Sequence, residues 1–167
     1  RNVLYHYLFI GDKLIIGKFC ALAKGVKFIM NGANHKMSGL STYPFSIFAG
    51  GWEKVMPAMA DLPYRGDTVV GNDVWFGYDA LIMPGVHIGH GAIVASRSTV
   101  VKNISPYEIW GGNPAVKIRS RYSEKEIAAL ETIAWWDWDV EVITENLAVI
   151  VGGDLDALWA VSKGIQS

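Results

Sequence analysis

The sequence predicts an all-β solenoid, a parallel β-helix with one long excursion loop and a C-terminal helical cap. Three observations predict it: a hydrophobic period of six, a set of small residues locked to that period, and an interruption that leaves the phase intact. Aliphatic or aromatic residues recur at Leu4, Ile10, Ile16, Leu22 and Phe28, then resume at Val70, Phe76, Ile82, Ile88, Val94 and Val100. Such a period matches neither the 3.6-residue stripe of a helix nor the alternation of a strand. It is the mark of hexapeptide repeats, each a short strand and a turn, with three repeats closing a triangular coil. Four residues after each of these positions sits a second small or apolar residue: Leu8, Leu14, Cys20, Val26, Val74, Ala80, Val86, Ala92, Ser98 and Ile104. The first position is expected to point into the prism and the fifth to fit beside the turn. Glycine next to the first position, as at Gly17, Gly71 and Gly77, relieves crowding where the chain bends.

The repeat divides the chain into residues 1–120, a β-helix with an external loop at 30–66, and residues 121–167, a helical segment. The loop carries NGANHKM, STYPFSIFAGGW and DLPYRGD, rich in Gly, Pro and aromatic residues. A long excursion from a repeat protein projects from one face and is often the binding face. Downstream, Ser123 and Glu126 form a capping box that opens a helix running to about Thr132. Further helices are expected over Val140 to Asn146 and Asp154 to Ser162, closing one end of the prism. The bulky Ala134-Trp135-Trp136-Asp137-Trp138 run between them reads as filler between helix and coil.

Composition narrows the function classes. A chain that is 51% hydrophobic and 19% charged fills a core and is not disordered. A net charge of -1 gives no reason to expect nucleic acid or an acidic membrane as partner. The lone Cys20 excludes an internal disulfide framework and fits a reducing compartment, so a cytoplasmic protein is expected. No apolar run approaches the roughly 18 residues of a spanning helix. The chain opens Arg1-Asn2-Val3 inside a patterned segment, so an upstream portion is expected.

Among residues that could carry chemistry, His35 lies in the excursion, where its side chain can reach a cleft. A neutral imidazole suits proton abstraction from a hydroxyl. His6, His87 and His90 fall at non-core positions and read as solvated. The spacing of His87 and His90, without a carboxylate–histidine cluster, does not suit zinc, and no metal is expected. Cys20, at a fifth-position core slot, reads as structural rather than nucleophilic. Lys102, Lys117, Arg119 and Arg121 gather near a Gly-Gly-Asn-Pro turn. Two readings fit that group, a receptor for phosphates and a solvated rim.

The hexads together with NGANHKM, STYPF, GWEKVMP, GNDVWFG, IMPGVHIGHGAIV and GGNPAVKIR resemble the xenobiotic acetyltransferases. These hexapeptide-repeat enzymes include the streptogramin A acetyltransferases and the type B chloramphenicol acetyltransferases. The resemblance covers nearly the whole chain. NGANHKM and GWEKVMP look closer to the streptogramin A branch, while VASRSTVV and AWWDWD also resemble the chloramphenicol branch. It implies a left-handed β-helix, acetyl-CoA as co-substrate, and a homotrimer with active sites between subunits. It further implies His35 as general base for direct acetyl transfer to a hydroxyl. Tyr7, Leu62, Pro63 and Trp75 match positions lining the acceptor cleft. Ser96, Val101, Lys102, Lys117 and Arg119 match the stretch along which coenzyme A lies. Val101 stands where relatives often have Thr, and relatives carry a segment before the position of Arg1. A β-helix serving only as a binding or structural module is the alternative of another class.

Overall fold

The computed structural model describes residues 2–165. Short strands follow one another at the hexapeptide interval: β1 (Val3–Leu4), β2 (Leu14–Ile16), β3 (Ala21–Leu22), β4 (Lys27–Ile29), β5 (Thr68–Val70), β6 (Trp75–Phe76), β7 (Leu81–Ile82), β8 (His87–Ile88), β9 (Ile93–Val94), β10 (Thr99–Val100), β11 (Glu108–Gly112) and β12 (Ala115–Ser120). They stack into three sheets: sheet A, in the order β1-β4-β7-β10; sheet B, β2-β5-β8; and sheet C, β12-β11-β9-β6-β3. Every pairing is parallel except β11 with β12, a hairpin at the far edge of sheet C that turns through a cis Asn113–Pro114 bond. Three sheets visited in rotation make a triangular prism.

Register carries the hexapeptide phase from coil to coil. Ile16 pairs with Val70 and Val70 with Ile88, while Leu22 pairs with Phe76 and Phe76 with Val94. Phe28 pairs with Ile82 and Ile82 with Val100. From Val26 onward the first and fifth positions fill the interior, among them Phe28, Val74, Phe76, Ala80, Ile82, Ala92 and Val94, all buried. Trp110 and Ala115 of the hairpin pack against this core and close its far end. Truncating a core aromatic such as Phe76 in a column this narrow costs about 3–5 kcal/mol.

Residues 2–10 depart from the expected phase. Val3, not Leu4, pairs with Phe28, and residues 5–12 form a turn in which Ile10 N–H donates to the Tyr7 carbonyl. Leu8 is 94% exposed and does not occupy a core slot. The hexapeptide ladder therefore begins at β2. Its first coil is the outermost layer, so Ile16 and Leu22 keep 39% and 40% of their surface exposed.

Turns at one corner stack like the strands. At the corner joining sheets B and C, Phe19, Asp73 and Tyr107 hold left-handed backbone with φ between 56° and 57°. Gly91 occupies the same place between Asp73 and Tyr107. A Cβ there would collide with the Tyr107 ring, which lies across it.

The C-terminal helices are α1 (Glu124–Ile133), α2 (Val140–Glu145), α3 (Leu147–Gly152) and α4 (Leu155–Ile165). Helix α1 opens with the expected capping box, Ser123 and Glu126 bonding reciprocally. The helical segment packs along the B–C corner rather than across the prism end. Trp135 packs on Phe19 with centroids 4.9 Å apart, and Trp136, 3% exposed, stacks on His90 at 4.8 Å. Lys18 Nζ meets Asp137 Oδ1 at 2.8 Å. His90 is therefore not a solvated residue: its Nδ1 also accepts the Asn72 N–H at 2.9 Å.

Candidate active site

The excursion leaves after β4 and returns to β5, so both limbs lie at the corner between sheets A and B. A buried carboxylate holds them there. Asp12, 2% exposed, accepts through Oδ2 from the backbone N–H of Asn31 at 2.7 Å and from its Nδ2 at 2.9 Å. Asn31, itself 3% exposed, uses the rest of its amide on the returning limb. Its Nδ2 donates to the Gly66 carbonyl at 2.8 Å and its Oδ1 accepts from Arg65 N–H at 2.9 Å. Gly85 in the next coil leaves the room that Arg65 occupies, since a Cβ there would collide with its carbonyl.

A 3-10 turn, Asn31–Ala33, carries the chain from this root toward His35. Asn34 Nδ2 donates to the Pro63 carbonyl at 2.7 Å, and Lys36 Nζ meets Asp61 Oδ2 at 3.0 Å. The Lys36 hydrogen bond, followed by its charge, holds the Asp61 carboxyl below the usual carboxylate range. With residue 34 tied to 63 and residue 36 to 61, His35 lies between two cross-links to the returning limb. His35 Nδ1 lies 2.9 Å from the Thr42 carbonyl, which can only accept, so Nδ1 carries a proton and the neutral ring has its lone pair at Nε2. The side chain is exposed. Gly32 completes the cluster: a Cβ there would collide with the Tyr5 carbonyl and the Tyr7 ring. Tyr7 in turn stacks on Phe9 with centroids 5.5 Å apart. The segments that carry Tyr7, His35, Leu62 and Pro63 are thus rooted at the same A–B corner.

Trp75 does not join them within the chain. It stands on sheet C, 54% exposed, beside Ala21 and Ile93 in the ladder. In a triangular prism sheet C is the side opposite the A–B corner. Ser96 and Val101 flank β10, both exposed, with the exposed Lys102 following. Lys117 and Arg119 lie on β12, which touches β10. Lys117 is already paired, its Nζ 2.7 Å from Glu108 Oε1. Burial pushes the Glu108 carboxyl up, but bonds from Lys117, Trp110 Nε1 and Ser105 N–H outweigh it and leave the group below its usual range. Among the basic residues of this region Lys117 is therefore a neutralised cation, whereas the Arg119 guanidinium donates to the Ser120 carbonyl at 3.1 Å and, among the described residues, meets no carboxylate.

Cys20 is half-buried and donates to the Gly71 carbonyl at 3.2 Å. Burial, with the Asp73 charge adding to it and a Val74 backbone bond opposing, raises its thiol. Such a group is a poor nucleophile. Sequence reasoning missed Asp12 and Asn31, because a lone Asp after Gly and an Asn before Gly carry ordinary turn signals. Among the described residues no helix is long and apolar enough to cross a membrane.

Three sheets visited in rotation by six-residue repeats define the class: a parallel β-helix of hexapeptide repeats. The family described as "Bacterial transferase hexapeptide (six repeats)" matches residues 67–102. A protein named probable macrolide acetyltransferase from Lysinibacillus sphaericus is 60% identical over 89% of this chain and 83% of its own length. Virginiamycin A acetyltransferase from Staphylococcus aureus is 56% identical over 94% of this chain and 71% of its own. A chloramphenicol acetyltransferase from Escherichia coli is 45% identical over 93% of this chain and 74% of its own. The chain belongs to the xenobiotic acetyltransferases of the hexapeptide-repeat family, and it is an acetyltransferase.

Proposed function

We propose that this protein transfers an acetyl group from acetyl-CoA to a hydroxyl of an antibiotic, with His35 as general base. The observation that carries this is the Nδ1 bond from His35 to the Thr42 carbonyl at 2.9 Å, which leaves Nε2 as the free proton acceptor of an exposed ring, on a segment tied to the returning limb at Pro63 and Asp61. Nε2 takes the proton of the acceptor hydroxyl as its oxygen forms a bond to the thioester carbonyl carbon. The carbon–sulfur bond then breaks, and the imidazolium returns the proton to the departing thiolate. No acyl-enzyme is needed, in keeping with a thiol at Cys20 held in its neutral form. General-base assistance of this kind is worth typically about 10²–10⁴-fold.

The acceptor reading favours a bulky, largely apolar molecule. Tyr7, Phe9, Leu62 and Pro63 offer mainly ring and aliphatic surface, and relatives at 60% and 56% identity are named for a macrolide and for virginiamycin A. A streptogramin A such as virginiamycin A is the acceptor this chain takes, with chloramphenicol the second candidate on the strength of the 45% identical relative. Ser96, Val101, Lys102 and Arg119 line the path of the coenzyme, with Lys117 joining them where a phosphate draws it from Glu108. Since Trp75 and His35 lie on opposite sides of one prism, the complete site forms between copies, in a homotrimer.

Release of free coenzyme A, followed with virginiamycin A, a macrolide and chloramphenicol in turn, tests the reading. Acceptor-dependent release is expected, fastest with virginiamycin A. Folded protein that releases none with any acceptor would overturn the enzyme assignment in favour of a binding module.

A further inference from the structure

We propose that Asn31, held on the Asp12 carboxylate, is a positioning residue of the reaction: it clasps the two limbs of the excursion and so fixes the segment that carries His35. The inference deepens the reading of His35 as base and rests on it. A primary amide offers two donor hydrogens and two acceptor lone pairs. Asn31 spends every one: Nδ2 on Asp12 Oδ2 and the Gly66 carbonyl, Oδ1 on Arg65 N–H at 2.9 Å and Asn34 Nδ2 at 3.4 Å. Its backbone N–H adds a further bond to Asp12, and its carbonyl accepts the Asn34 N–H at 3.0 Å. The two bonds between Asp12 and Asn31 are buried, so neither has water as a ready replacement. One side chain thus joins the outgoing limb at 31 and 34 to the returning limb at 65 and 66. Asn34 extends the tie to Pro63, next to His35.

Neither Asp12 nor Asn31 meets the substrates. Their effect is on where Nε2 stands. A displacement of about 1 Å at such a distance from the chemistry costs on the order of 100-fold in rate. Asp12 Oδ1 has no hydrogen-bond partner among the described residues, so only one of its oxygens serves the clasp.

Amide hydrogen exchange and steady-state kinetics of the full chain carrying Asn31→Ala test this. Exchange is expected to speed up at residues 31–36 and 61–66 while residues 68–100 stay protected. The rate constant kcat should fall by roughly 10–100-fold, with KM for acetyl-CoA held within about twofold and the acidic limb of the pH–kcat profile unmoved. Asp12→Asn keeps an accepting oxygen and should recover most of the activity that Asp12→Ala loses. Asn34→Ala cuts only the ties from that side chain and leaves the buried pair, so it serves if Asn31→Ala does not fold; the same pattern in milder form is expected. Unchanged exchange and kinetics in either folded variant overturn the proposal. So does faster exchange throughout the coils with a matching rise in KM for acetyl-CoA, which assigns Asn31 to general stability. His35→Ala runs beside them: normal turnover there removes the base assignment, while the exchange pattern still decides whether the clasp exists.

Discussion

Trp75 and His35 face away from each other: the indole stands on the outer face of sheet C, and the imidazole is tied near the A–B corner across the prism. If each active site takes its His from one copy and its Trp from the next, two inactive variants complement each other. His35→Ala and Trp75→Ala proteins, unfolded together and refolded as mixed trimers, should regain activity in about a quarter of their sites, since a heterologous ring pairs each copy with a different neighbour. Turnover of the mixture against that of each variant alone is the measurement. Activity no higher than the sum of the separate variants places both residues' roles within one chain.

At the root of the excursion, Gly32 lies against the Tyr5 carbonyl and the Tyr7 ring. Gly32→Ala forces both to move and is expected to cost about 1–3 kcal/mol, as overpacking does. If Tyr7 lines the acceptor cleft as proposed, KM for the acceptor should rise while KM for acetyl-CoA stays. Adding Tyr7→Ala removes only the ring clash, so the double variant should recover part of the stability. A thermal melt and paired KM values decide it.

Burial raises the Asp73 carboxyl above its usual range, with Arg121 pulling the other way and losing. A carboxyl raised on folding contributes stability below its unfolded value, near pH 3.9, and that contribution is lost as pH rises through the folded value. Asp73→Asn therefore stabilises the protein at neutral pH, and the gain fades as pH falls through the carboxylate range. Asn tolerates the left-handed backbone at this position, where φ is 57°. Melting temperatures from about pH 3.5 to pH 7.5 give the answer: a variant no more stable than the parent at neutral pH shows that the charge is well compensated.

The aromatic buttress should matter far more than the ion pair beside it. Trp136→Ala empties a buried stack on His90 and is expected to cost about 3–5 kcal/mol. Asp137→Asn breaks the pair with Lys18, whose partners are 59% and 60% exposed, and should cost less than about 1 kcal/mol. Denaturant unfolding of the two variants compares them. Equal losses would mean that the helices are held by charge rather than by packing.

The prism from β2 onward was legible because inward positions at a fixed interval leave a trace that single substitutions do not erase. Val70, Phe76 and Ile82 through Val100 show it. Residues 4–10 mimicked the period by chance of composition, while register put Val3 in the slot. Helix α1 announced itself through Ser123 and Glu126, but α3, Leu147–Gly152, is an apolar run whose period does not separate helix from strand. His90 read as surface because the tryptophan that covers it lies 46 residues further along the chain. Within the site, His35 stood out by its place in the excursion, whereas Tyr7, Leu62, Pro63 and Trp75 came from the resemblance and not from pattern. Asp12 and Asn31 were invisible, since a clasp made of one Asp and one Asn separated by 19 residues has no sequence signature.

Because β4 hands on to β5 with the hexapeptide register unbroken, the solenoid neither gains nor loses a rung by carrying its side loop. Residues 37–60 can lengthen, shorten or change their chemistry without shifting a strand against its neighbour. The coiled frame is mechanically insulated from the loop it carries, and changes in that segment leave the stacked strands where they are.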